Sequence, residues 1–102
     1  MFKFKKNYVT IQQYKCIFTT IDGATHNGFT TRWAIADRLR CTVPDYVMID
    51  IKSQGYIWDE NHNMYILSNV ISIEWIKVDE KVVVNTFSRY DIFIDESDIK
   101  ED

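Results

Sequence analysis

The sequence predicts a mainly β domain, a small antiparallel meander that curls into a partly open barrel and carries one short α-helix. Runs of β-branched and aromatic residues recur along the chain, and short polar turns separate them. Residues 31–40 break this pattern with helical spacing. The 102 residues, 46% of them hydrophobic, suffice for one core, so we expect a single domain over residues 1–102.

The first predicted element is a hairpin. Its strands are YKCIFTTI (14–21) and FTTRW (29–33), and its tip spans residues 22–28. The pair Asp22-Gly23 begins the tip, where glycine adopts a positive φ at little steric cost.

Residues 31–40, TRWAIADRLR, interrupt the strand pattern and predict the helix. Ile35 and Leu39 are four residues apart, as on one face of a helix, and Thr31 can cap its start. Pro44 prevents this helix from continuing.

The segment DYVMIDIKSQGYIW (45–58) predicts two strands around a turn at Gly55. Val47, Ile49 and Ile51 alternate, as they would on one face of a strand. A single helical turn just after Pro44 is the alternative interpretation.

The second half continues the meander through four strand segments: YIW (56–58), MYIL (64–67), VISIEWIKV (70–78) and KVVVNTF (81–87). The polar residues 59–63 and the pair Asp79-Glu80 predict the turns between them.

The run MYILSNVISIEW (64–75) resembles the end of many SH3-like and Sm-like small barrels, in which a strand, a one-turn bend and a final strand follow in quick succession. More broadly, the size and the Lys/Ile/Asn/Asp-rich composition resemble small orphan proteins of prophages and integrative conjugative elements of Gram-positive bacteria. Such proteins are often accessory or counter-defence factors and many are oligomeric. The resemblance implies no catalytic residues.

The charge is unevenly distributed. Residues 1–52 carry eight Lys/Arg and four acids, whereas residues 53–102 carry four Lys/Arg and eleven acids. Residues 95–102, DESDIKED, predict a solvated acidic tail, although such a tail can also shield a basic surface.

The chain predicts a cytoplasmic protein with reduced thiols. Its two cysteines are too few for a disulfide framework, and no apolar run approaches the length of a membrane span. The MFKFKK start lacks the apolar segment of a secretory signal.

Asp59, Asn61 and Asn63 place oxygen-bearing side chains at alternate positions, as the start of an EF-hand loop does. However, Met64 stands where that loop needs glycine, and Val70 stands where it needs a bidentate Glu. Asn and Asp also collect at hairpin tips. We therefore expect a hairpin tip and no metal here.

The sequence predicts neither a zinc site nor a catalytic site. Cys16, His26, Cys41 and His62 are the available soft ligands and nucleophile–base candidates, and they lack any metal-ligand spacing. No glycine-rich loop offers a phosphate or oxyanion cradle. We expect a protein that is not an enzyme and that uses no cofactor.

Nucleic-acid binding is the alternative function, because single-strand binders combine cations with stacking rings. The basic half interleaves such residues: Phe2, Lys3, Phe4, Lys5, Lys6, Tyr8, Tyr14, Lys15, Arg32, Trp33, Arg38, Arg40 and Lys52. The acidic pI of about 5.3 argues against this function.

Two candidate binding surfaces remain. Aromatic residues on adjacent predicted strands can form an interface or fill the core: Tyr56, Trp58, Tyr65 and Trp75. The predicted helix offers an anion-binding set: Arg32, Trp33, Arg38 and Arg40. We therefore expect an accessory protein that binds a protein or a small anionic ligand and that contacts no membrane. We expect a homo-oligomer formed through its sheet edges or through its aromatic faces.

Overall fold

The computed structural model of the chain describes residues 7–99, apart from the side chain of Asp37. Along this part the regular elements are β1 (Tyr8–Thr20), β2 (Thr25–Thr30), β3 (Trp33–Ile35), α1 (Val43–Gln54), β4 (Tyr56–Trp58), β5 (Met64–Ile66), β6 (Val70–Val84) and β7 (Phe93–Ile94). Short 3-10 turns occupy Ala36–Arg38, Leu67–Asn69 and Glu96–Asp98.

The sheet is organised around β1. Along one edge β1 pairs antiparallel with β6, from Tyr8 opposite Val84 to Thr20 opposite Val70. Along the other edge it pairs with β2 and then with β3, and β7 extends the sheet beyond β3. The long β1–β6 ladder explains the elongated dimensions of 66 × 21 × 18 Å.

The predicted fold class is confirmed. The chain is mainly β with one α-helix, and its antiparallel sheet curls into a partly open half-barrel. The predicted hairpins are present as β1–β2 and β4–β5. The predicted tip at residues 22–28 is too long, because residues 25–28 already belong to β2 and pair with β1. The last long strand returns to the first strand and does not pair with β5.

Two hydrophobic clusters lie on opposite faces of the sheet. Val9 and Ile11 occupy odd positions of β1, and they pack with residues of β3, β6 and β7. Cys16 and Phe18 occupy even positions, and they pack with α1 and the β4–β5 hairpin. Because side chains alternate along a strand, β1 supplies both cores.

The predicted strand at residues 45–52 is wrong, because these residues form most of α1. Thr42 caps the helix by accepting the N–H of Asp45 at 3.2 Å, and Gly55 ends it with φ 82°. Pro44 lies in the first turn, where its missing N–H costs nothing, so it opens a helix here.

The helix predicted at residues 31–40 is also wrong. Residues 33–35 form the buried strand β3, which lies between β1 and β7, and a 3-10 turn follows it. Trp33 and Ile35 enter one core, and Ala34 is fully buried between them. Pairing on both edges of this strand overrides the helical spacing.

The turn predicted at Asp79-Glu80 does not exist, since β6 runs through it from Val70 to Val84. The register with β1 shifts by one residue at Val78, which is absorbed as a bulge. Exposed charges suit an edge strand as well as a turn.

The C-terminal segment returns to the sheet, where Ile94 is buried and Ile99 packs against the same cluster. Of the predicted acidic tail 95–102, residues 100–102 lie outside the described residues, as do residues 2–6 of the basic half. Within residues 7–99, no helix has the length and apolar character needed to cross a membrane.

Candidate ligand-binding cleft

A cleft of about 880 Å³ opens between α1, β2 and the β4–β5 hairpin. Ile51 and Ile57 line its base, and both belong to the second hydrophobic cluster. Three of the predicted binding residues reach this cleft, namely Arg32, Tyr56 and Trp58. The structure thus brings together residues from the two surfaces that the sequence kept apart.

The chain reversal after α1 positions the aromatic wall of the cleft. Gly55 adopts the left-handed conformation, and its carbonyl accepts the N–H of Leu67 at 2.9 Å. The helix therefore leads directly into β4. Tyr56 and Trp58 are two residues apart on that strand, so they share a face.

Tyr56 and Trp58 contact each other edge to face, with ring centroids 5.5 Å apart. Trp58 is 40% exposed although it lines the cleft. Its indole therefore offers an accessible surface for a planar group.

Lys15 and Arg32 supply the basic charge of the cleft. Lys15 of β1 is the register partner of Thr30, and Arg32 follows two residues after Thr30. In the described part of the chain, neither cation forms an ion pair. The cleft also has acidic members, Asp50 on α1 and Glu60 at the hairpin tip.

The hairpin tip is held by Asp59. Its carboxylate accepts the N–H groups of Asn61 at 2.9 Å and Asn63 at 2.8 Å, the Asn63 amide at 3.1 Å and the Tyr65 hydroxyl at 3.2 Å. Desolvation disfavours the charged carboxylate, but the hydrogen bonds from Asn63, Asn61 and Tyr65 outweigh it and lower the pKa of Asp59. The calcium-like pattern thus folds as a self-capped turn.

The tip is also attached to β2. Gly28 and Asp59 form an antiparallel bridge, and the Glu60 N–H donates to the Asn27 carbonyl at 3.0 Å. His62 has a positive φ of 66° within the tip. This attachment fixes one wall of the cleft relative to the main sheet.

The other three residues of the predicted anion-binding set lie elsewhere. Trp33 is buried in the first cluster, with the Lys81 ammonium 4.9 Å from its ring centroid. Arg38 donates to the carbonyls of Phe87 and Ser88 and to the Asn85 side chain. Arg40 is exposed beside Cys41, away from the cleft.

Tyr65 and Trp75 do not share the face of Tyr56 and Trp58. Both pack against the second cluster, Tyr65 edge to face with Phe18 at 5.2 Å and Trp75 with Phe29 at 5.8 Å. The alternative interpretation of the aromatic set, that its members fill the core, applies to these two residues.

Thr20, Asp22 and His26 form a polar group at the β1–β2 tip. The Thr20 hydroxyl donates to Asp22, and it lies 3.1 Å from His26 Nε2. Because the hydroxyl proton is directed to Asp22, the imidazole acts as a donor to Thr20. These contacts hold the β1–β2 turn together.

Sequence reasoning named Lys15 only as part of the basic half, and it missed Asp50 and Gln54 as cleft residues. The sequence predicts a strand at Asp50 and a turn at Gln54, so their position on the cleft side of α1 does not follow from it. Lys15 and Arg32 are far apart in sequence, and only the β1–β2 register brings them together.

Comparisons with protein-family models, with curated proteins and with solved structures found no match.

Proposed function

We propose that this protein is a non-enzymatic binding module whose cleft holds a small anionic ligand with a planar ring. The observation that carries this proposal is the presence of Arg32, Lys15 and the exposed Trp58 in one cleft. Arginine recognises carboxylate or phosphate through paired hydrogen bonds, and tryptophan stacks on planar groups.

The charge distribution of the cleft favours a small ligand over a long polyanion. Asp50 and Glu60 line the same cleft as the two cations, so a strand of phosphates would meet repulsion as well as attraction. A ligand with one anionic group and hydrogen-bond donors on its ring can satisfy both kinds of side chain. Nucleic-acid binding through the basic half remains the alternative.

The non-enzymatic role is supported by the position of the hydroxyl–imidazole contact. Thr20 and His26 meet at the β1–β2 tip, and neither lines the cleft. The resemblance to small prophage and mobile-element proteins supports an accessory role in the cytoplasm. Such a role includes homo-oligomerisation and contact with a protein partner.

Isothermal titration with adenosine monophosphate, adenosine and inorganic phosphate tests the cleft. We expect the monophosphate to bind more tightly than either fragment, and Arg32→Glu or Trp58→Ala to weaken its binding by about tenfold or more. Arg40→Glu is the matched control, because it reverses an exposed arginine outside the cleft.

Equal binding by wild type and Arg32→Glu would contradict the proposal. The same titration with a single-stranded oligonucleotide tests the alternative. Tight binding there, lost equally in Arg32→Glu and Arg40→Glu, would favour nucleic acid.

A further inference from the structure

The second edge of β6 is a long strand edge that pairs with no strand of residues 7–99. β6 has 15 residues and uses its first edge for the ladder with β1. It also exposes apolar side chains, with Ile76 45% and Val82 62% accessible. Natural proteins cover or blunt such edges, because an open edge pairs with other chains.

The backbone groups that face this open edge can be identified at the C-terminal end of β6. The Asn85 N–H donates to the Asn7 carbonyl at 2.6 Å, so this pair lies in the ladder as a hydrogen-bonded pair. Hydrogen-bonded and non-hydrogen-bonded pairs alternate in an antiparallel ladder. Glu80, Val82 and Val84 therefore direct their N–H and C=O groups away from β1.

The alternation of hydrogen-bonded pairs can also be followed from the N-terminal end of β6. The Ile21 N–H donates to the Asn69 carbonyl at 2.9 Å, and the register shifts by one residue between Val70 and Ser72. Counting through that bulge, Ile73, Trp75 and Lys77 direct their backbone groups to the open edge. The bulge at Val78 joins the two series.

We propose that β6 pairs antiparallel with β6 of a second copy of this chain, around a two-fold axis between Val78 and Asp79. Lys77 of each copy then lies opposite Glu80 of the other. In this register Trp75 lies opposite Val82 and Ile73 lies opposite Val84. All six positions are ones whose backbone groups face the open edge, so the ladder is complete on both sides of the axis.

The edge is complementary to itself in charge. Within one chain Lys77 and Glu80 already form an ion pair. Their side chains lie on the same face of the strand although they are three residues apart, because the bulge between them adds one residue. The two-fold axis places a second, reversed pair beside the first, which gives four alternating charges. Cross-strand pairs of opposite charge stabilise a sheet, and like pairs destabilise it.

Other self-pairings lose this match. Shifting the register by two residues places Glu80 opposite Trp75, and centring the axis on Lys77 opposes two lysines. The apolar pairs also favour the proposed register, since Trp75 covers the exposed Val82. Self-complementarity of this kind selects a second copy over an unrelated partner.

This inference gives a surface to the homo-oligomer of the proposed function and is independent of the cleft. Light scattering of the eluting protein across a concentration series tests it. We expect wild type to reach twice the 12.2 kDa chain mass. We expect Lys77→Glu and Glu80→Lys to weaken dimerisation by about tenfold or more, because each opposes like charges twice.

The decisive sample is an equimolar mixture of the two single variants. One chain is acidic and the other basic at both positions, so the mixture is expected to form a heterodimer although each variant alone stays monomeric. The chain with both substitutions is expected to dimerise as wild type does.

Val82→Pro is the control for the edge itself, since it removes an outward N–H without removing a charge. Circular dichroism checks that each variant stays folded.

A wild type that remains at 12.2 kDa at all concentrations would overturn the inference. A dimer that ignores the charge variants but is lost in Val82→Pro would overturn the register. Loss of the dimer leaves adenosine monophosphate binding unchanged, which separates this result from failure of the cleft proposal.

Discussion

Gly28 lies so close to Cys16 that a Cβ on Gly28 would stand 2.7 Å from the Cys16 carbonyl oxygen. The contact joins β2 to β1 where the register between them shifts. The nearest atom belongs to the backbone and cannot rotate away. A glycine is therefore required at this point of the sheet.

Gly28→Ala is expected to lower the free energy of unfolding by about 1–3 kcal/mol, because the strands must separate locally. Urea denaturation followed by circular dichroism measures it. Thr25→Ala, at an exposed position of the same strand, is the control and should change stability by less than about 0.5 kcal/mol. Equal stabilities of the two variants would contradict the close contact.

Arg38→Ala is expected to cost about 1–3 kcal/mol of unfolding free energy. The guanidinium donates to the Phe87 carbonyl at 3.1 Å and also to the Ser88 carbonyl and the Asn85 side chain. Arg38→Lys is expected to recover little, because one ammonium lacks the planar fork that spans these acceptors. Thermal unfolding measures both variants.

The matched control is Arg40→Ala, two residues away and exposed, with an expected change below about 0.5 kcal/mol. If Arg40→Ala were as destabilising as Arg38→Ala, the hydrogen bonds from Arg38 to residues 85–88 would not account for the effect.

Local sequence patterns predicted the β1–β2 and β4–β5 hairpins because each has its turn residues and both strands close together in sequence. The same patterns failed for α1. Val47, Ile49 and Ile51 fit a strand, whereas Val43, Val47 and Ile51 fit a helix face equally well. The sequence features that distinguish this helix from a strand are its N-cap Thr42, Pro44 in its first turn and Gly55 at its end.

The cleft could be predicted only in part. Trp58 and Arg32 were candidates by residue type, but their meeting depends on the β1–β2 register and on α1. Trp33 and Arg38 are equally good candidates by residue type, but Trp33 is buried in the core and Arg38 is hydrogen-bonded to the backbone. Non-local pairing decides which arginine and which tryptophan stay available.

Acid is expected to destabilise the protein through Asp59. Its pKa is lowered in the folded chain, so its contribution is present above the ordinary carboxyl pKa of 3.8 and is lost as pH falls through the folded value. Asp22 has a lowered pKa as well, chiefly through the hydrogen bond from Thr20. The substitution Asp59→Asn therefore separates the contribution of the β4–β5 tip from that of Asp22.

Urea denaturation at several pH values measures this contribution. The stability difference between wild type and Asp59→Asn should shrink as pH falls below 3.8. A difference that stays constant through the acid range would show that ionised Asp59 does not hold the turn.

The two thiols are expected to differ in reactivity. Cys16 is buried and desolvation raises its pKa to about 12, whereas Cys41 is exposed. A thiol-specific disulfide reagent at mildly alkaline pH should label Cys41 alone in the folded protein and both residues in urea.

The free energy of unfolding should also fall as pH rises above 9.0, where the unfolded Cys16 thiol ionises.

Cys41→Ser is the control for labelling, since it should leave the folded protein unreactive. Rapid labelling of folded Cys41→Ser would contradict the burial of Cys16.

Native mass spectrometry of protein taken directly from its expression host tests the binding function most directly. We predict that wild type retains a small anionic compound with an aromatic ring, and that Arg32→Glu and Trp58→Ala lose it while Arg40→Glu keeps it. Wild-type protein that carries no such compound and that takes up no adenosine monophosphate when it is added would contradict the account.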